Sequence, residues 1–193
     1  VDNWSELMPM GKINEARAAQ EEAVELAVRD MVYIAGGMYE AGSDGVNLDT
    51  CGASGDADVL ASLLAAEQIK AKFPGMGIEM GMAGEFILGM HGKLEYQGVR
   101  VAGLYPHHQV ELAEKAGVSI FGPVINTNSN KTFPWNLARA VTYVKACSEA
   151  ATIPVHANVG MGVGATPMTP VPPVDAVSRA AKALIEIGKA DGL

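Results

Sequence analysis

The sequence predicts an α/β protein of the (β/α)-barrel type, a partial barrel of about four βα units with parallel strands. Three observations lead there. Short apolar strands alternate with helices along the chain. Polar residues gather at the C-terminal ends of those strands, while the turns after the helices are short and plain. Every strand contributes such a residue, as in a barrel whose site lies along its C-terminal rim. The competing architecture, a doubly wound sheet, concentrates its site at one switch point.

The elements follow in order. Residues 12–40 read as a long helix, with Ala16, Ala19, Ala23, Leu26 and Ala27 at helical spacing. Gly42-Ser43-Asp44-Gly45 breaks it, and residues 46–50 alternate as a strand. After Gly-Ala-Ser-Gly, Asp56 is placed to cap a helix over 57–72. Residues 77–82 form the second strand. A Gly-rich excursion over 85–105 then interrupts the cycle, with a hairpin around Gln97-Gly98. A helix over 106–115 leads to a third strand over 118–125. Pro134 is well placed to start the helix over 134–150. Residues 153–159 form the fourth strand, and a Gly/Pro loop precedes a last helix from Val174 to about Lys189. The whole of 1–193 reads as one partial barrel domain. Asp191-Gly192-Leu193 repeats the turn that opens the first strand, so a fifth strand is expected to begin there, and the chain is expected to be incomplete.

With 49% hydrophobic and 19% charged residues the chain is globular, not disordered. Its net charge of -8 argues against a nucleic-acid or anionic-membrane surface, which needs clustered Lys and Arg. No apolar run has the length of a membrane span, and the first residues do not form a signal peptide. Cys51 and Cys147 have no metal-site spacing and read as reduced thiols of a cytoplasmic protein.

Candidate chemistry rests on the strand ends. Glu79 stands between apolar neighbours, which suits a general acid or a cation-binding group with a raised pKa; a rim carboxylate paired with a neighbouring Lys or Arg is the alternative. Asp49 is either a rim carboxylate or a cap for the turn that follows it. His156 and Asn158, two residues apart, share one strand face and imply a polar pocket or a satisfied core network. Glu85, His91 and the polar run Asn126 to Lys131, with Asn126 and Asn128, are candidates for substrate contact or simply solvated loop residues. Gly160-Met-Gly-Val-Gly164 lacks the Lys-Ser/Thr of a P-loop, and position 165 is Ala where G-x-G-x-x-G needs Gly. A close backbone approach or a lid fits it better. No metal site is expected.

Five segments carry a resemblance: residues 77–96 (GIEMGMAGEFILGMHGKLEY), 120–128 (IFGPVINTN), 133–140 (FPWNLARA), 153–164 (IPVHANVGMGVG) and 172–179 (PPVDAVSR). Together the chain resembles the dimethylamine:corrinoid methyltransferases of methylamine-using archaea. The resemblance implies a β/α barrel, of which residues 1–193 are expected to lack N- and C-terminal portions of the family, and a cytoplasmic enzyme of methanogenesis. Its reaction would move a methyl group from dimethylamine to the Co(I) corrinoid (cobalamin) of a separate cognate corrinoid protein. No cofactor would be bound tightly by this chain itself, and the enzyme is expected to be a homo-oligomer. The family carries pyrrolysine after the segment matching Asp191-Gly192-Leu193, so residues 1–193 alone are expected to be inactive. On this reading Glu79, Asp49 and His156 are the catalytic candidates, and Glu85, Asn126, Asn128 and Asn158 the substrate-binding ones.

Two other classes compete. A lyase or aldolase barrel would need a strand-end Lys for Schiff-base chemistry, which none of the four strands has, or a phosphate grip. A non-catalytic fragment with a scaffold or binding role would need its open edge covered.

Overall fold

Two helix ends set the direction in which the chain enters the sheet. In the computed structural model, which describes residues 3–83, 92–127 and 129–193, α1 (Trp4–Leu7) precedes the long helix α2 (Ile13–Glu40). Helix α2 closes on Gly42, whose φ of +90° suits a residue without Cβ. The Ser43 N–H donates to Met38 O and the Gly42 N–H to Tyr39 O, a Schellman turn that points the chain into β1 (Gly45–Cys51). The same device recurs after α4 (Pro106–Lys115), where Gly117 has φ +85° and the Val118 N–H reaches Ala113 O. It releases the chain toward β5 (Ile120–Pro123).

Between these lie α3 (Asp56–Lys72), β2 (Gly77–Met82) and the hairpin β3 (Glu95–Tyr96) and β4 (Val99–Arg100). The turn expected at Gln97-Gly98 joins the hairpin strands. Tyr96 anchors the hairpin to α3, its phenol donating to Glu67 Oε1 at 2.7 Å. After β5 come α5 (Pro134–Ala150) and α6 (Val174–Glu186). Both α4 and α5 start on a proline, whose fixed φ and missing N–H suit the first helical position.

Strands β1, β2 and β5 form a parallel sheet in chain order. Two further passes continue that order as single parallel bridges, Phe121 with Val155 and His156 with Gly192. The strand expected over 153–159 is thus reduced to two isolated bridges, at Val155 and His156. Pro154 has no N–H to donate, and the Val155 N–H is taken by the Asp191 carboxylate at 2.8 Å. The third strand is likewise shorter than the expected 118–125.

The sheet has two unlike faces. Leu48, Met80, Phe121 and Val155 stand at one level and are buried on the helix side. Val24, Val28, Val32 and Ala35 of α2 belong to the core behind them, recurring at helical spacing. A second cluster joins Ala140, Val144, Leu184 and Ala157 under α5 and α6. Among the described residues no helix is long and apolar enough to cross a membrane.

Asp56 was expected as a cap, but it lies inside α3, with Gly55 at the N-cap. Asp58 does the tethering, its carboxylate accepting the N–H groups of Gly52 and Ser54.

Burial governs both cysteines. Cys51 and Cys147 are 2% and 0% exposed, and desolvation pushes each thiol up from 9.0 to about 12. Two outcomes are expected. A thiol reagent at mildly alkaline pH leaves the native chain unlabelled and labels both sites in denaturant, as read by mass spectrometry. Because the folded value is raised, the unfolded thiols ionise first; fold stability therefore falls as pH climbs from 9.0 toward about 12, measured by denaturant titration.

Candidate functional site

Strand alternation decides which side chains meet on the sheet face turned away from the helices. Asn47 pairs with Glu79 and Glu79 with Ile120. One step toward the C-terminal ends, Gly81 pairs with Gly122, and His156 sits beside Gly122 because Val155 pairs with Phe121. Residues 47, 49, 79, 120, 156 and 158 are all exposed or half-buried, in contrast to the sealed helix side. The result is a polar face over a floor of glycine backbone.

Glu79 and His156 converge on it. Imidazole Nδ1 lies 3.9 Å from Glu79 Oε1, across β5. The bare backbone of Gly122 keeps the intervening strand low. Glu79 was expected to be desolvated by Ile78 and Met80, but those neighbours point to the other face, and its side chain is 32% exposed. Its neighbour across the face is His156, where the alternative reading expected a Lys or Arg. At this distance and exposure the pair contributes at most about 1 kcal/mol to stability; its interest is chemical.

Asp49 leans toward β2. Its Oδ1 accepts the N–H of Thr50 at 2.8 Å and would lie 2.5 Å from a Cβ built on Gly81. Thr50 adopts φ +55°, a costly conformation for a β-branched residue, beside the register shift between Leu48 and Cys51. Backbone strain of this kind costs on the order of 1–3 kcal/mol and collects near functional sites.

The loops after β5 and after Asn158 are tied together. Asn126 bridges to Val163, and its carbonyl accepts from Arg139 Nη2 at 2.8 Å. The Thr127 N–H and hydroxyl both donate to Gly162 O, and the Gly164 N–H donates to Ile125 O. Gly164 has φ +63°, and a Cβ there would meet Asn158 O at 2.5 Å. Close backbone approach is therefore what Gly164 provides, while Gly162 makes room for the Met168 side chain. Asn158 itself is exposed on the polar face. Glu85, His91 and Asn128 lie outside the described residues.

The structure adds residues that the sequence did not single out. Asn47 shares the face with Glu79, and Asp191 and Gly192 flank His156. Asn47 carried a signal, since it alternates with Asp49; the other two needed the strand register. Among the described residues no three His, Cys, Asp or Glu side chains are grouped to hold a metal ion.

The contact of Asp49 with Gly81 can be tested. Gly81→Ala is expected to swing the carboxylate off the Thr50 N–H and cost about 1 kcal/mol in denaturant unfolding. Gly75→Ala, where a Cβ meets nothing within 4 Å, is expected to stay within about 0.5 kcal/mol of the parent.

No solved structure is significantly similar to the chain. A family model described as dimethylamine methyltransferase matches residues 1–193. With that match spanning the same residues that build the polar face, the chain belongs to the dimethylamine methyltransferase family.

Proposed function

We propose that this chain forms an arc of a single β/α-barrel domain whose polar interior face binds dimethylamine for methyl transfer. The acceptor is the Co(I) corrinoid of a separate protein, and the setting is methanogenesis in the cytoplasm of an archaeon, with the enzyme working as a homo-oligomer. The observation that carries the reading is the convergence of Glu79 and His156 on the open face of a parallel sheet in a member of this family. The strictly sequential strand order supports a barrel arc over a doubly wound sheet, in which the order reverses at a switch point.

The chemistry asks for what this face offers. A neutral amine is a poor methyl donor, because its leaving group would be an amide anion. The nitrogen must carry positive charge as the C–N bond breaks, its electron pair staying on nitrogen while the acceptor supplies the pair for the new bond. Glu79 stabilises that charge through space. His156, with Nδ1 toward Glu79, supplies the proton that makes the amine nitrogen cationic before transfer, and monomethylamine leaves as the neutral amine with that proton kept. Asp49, Asn126 and Asn158 orient the amine from the rim, with Glu85 and Asn128 completing the set on the same reading. The resemblance puts pyrrolysine directly after Leu193. Gly192 is level with His156, so alternation turns a residue two positions on toward the same polar face.

Binding tests the reading directly. Titrating the chain with dimethylammonium is expected to shift the NMR signals of Asp49, Glu79 and His156, and Glu79→Gln is expected to weaken binding several-fold. Shifts confined to other surfaces would overturn it. Turnover gives a second check. Residues 1–193 alone, with dimethylamine and a reduced corrinoid protein, are expected to show only background methylation, since on this reading pyrrolysine holds the amine.

A further inference from the structure

His156 is the one imidazole on the polar face among the described residues, and its orientation has a visible cause. A Cβ built on Gly192 would lie 2.8 Å from both Cδ2 and Nε2 of the ring and 3.3 Å from Cγ. The ring edge therefore rests directly on the Gly192 backbone. Gly192 is not among the glycines with positive φ, so its conformation does not demand glycine; the close approach does.

The backbone beneath the ring is held on both sides. The Ala157 N–H donates to Gly192 O at 3.0 Å, and the Gly192 N–H reaches Val155 O at 3.3 Å. One residue back, the Asp191 N–H donates to Val155 O at 2.8 Å while the Asp191 carboxylate accepts the Val155 N–H at 2.8 Å. This double clamp fixes the segment that carries His156 against the segment that carries Gly192. With the Cδ2–Nε2 edge against Gly192, Nδ1 is left facing Glu79 at 3.9 Å. Among the described residues, β5 presents Ile120 and Gly122 between them, and the Asp191 carboxylate is engaged with the backbone.

We propose that Gly192 is a positioning residue for His156, and that the absence of a side chain there is what turns Nδ1 toward Glu79. A methyl group at 192 must swing the ring away, because the imidazole is rigid and the clamped backbone cannot retreat. Its importance for methyl transfer rests on the functional reading above; the geometry does not.

The test reads the imidazole directly. In the parent chain, long-range proton–nitrogen NMR at fixed pH is expected to show the His156 Nδ1 signal moving on Glu79→Gln. In a Gly192→Ala background that response is expected to be lost, with the melting profile retained. Separately, in the unsubstituted chain, the Gly192 Hα protons are expected to carry a ring-current displacement that disappears in His156→Ala. A Glu79 response that survives Gly192→Ala overturns the proposal. Should Gly192→Ala fail to fold, the ring-current measurement decides, and Hα signals indifferent to His156→Ala overturn it. If dimethylammonium fails to bind while both signatures hold, the functional reading falls and the positioning role stands.

Discussion

One alignment governs everything on the polar face: the level at which Leu48, Met80, Phe121 and Val155 stand side by side. These residues must be buried behind the helices, and their burial is the strongest force on the sheet. Once they are, period-2 alternation leaves Asn47, Glu79, Ile120 and His156 no choice of side. A slip of one residue would drive Glu79 or His156 into the core against α3 and α4. The apolar side of the sheet thus fixes the polar side.

Much of the fold was legible because its signals are local. Pro134 and Pro106 mark helix starts, Gly42 and Gly117 mark helix ends, and residues 77–82 run as a strand over the bounds read from sequence. What failed was non-local. The weak fourth strand reflects Pro154 together with a carboxylate more than thirty residues downstream, Asp191, and no local pattern announces that partnership. Asp56 and Asp58 are both acidic residues in the first turn of α3, and only the path of the preceding loop decides which of them holds it.

The site was legible in part for the same reason. His156 and Asn158 sharing a face is a matter of counting by two. The error at Glu79 was to treat chain neighbours as spatial neighbours: in a strand, Ile78 and Met80 point away, and the residues that set the environment of Glu79 come from other strands. Gly81 and Gly192 serve here as places where a side chain from an adjacent pass lies over bare backbone, and Gly122 as a place where neighbouring backbones close in. Composition records how many glycines a chain has, and only the register tells which of them leave room for a functional group.

The chain-order neighbours of the sheet also bear on how the molecule is assembled. Each pass pairs with the one made just before it, roughly thirty to forty residues earlier, so every closure carries a similar and modest entropic cost. A ribosome delivering this chain would release each strand after its template had already formed. Such a sheet grows by accretion from one edge, without waiting for a distant segment to be threaded between strands already in place. The order that lines up Asp49, Glu79 and His156 across successive passes is therefore also an order of construction, in which His156 arrives last of the three.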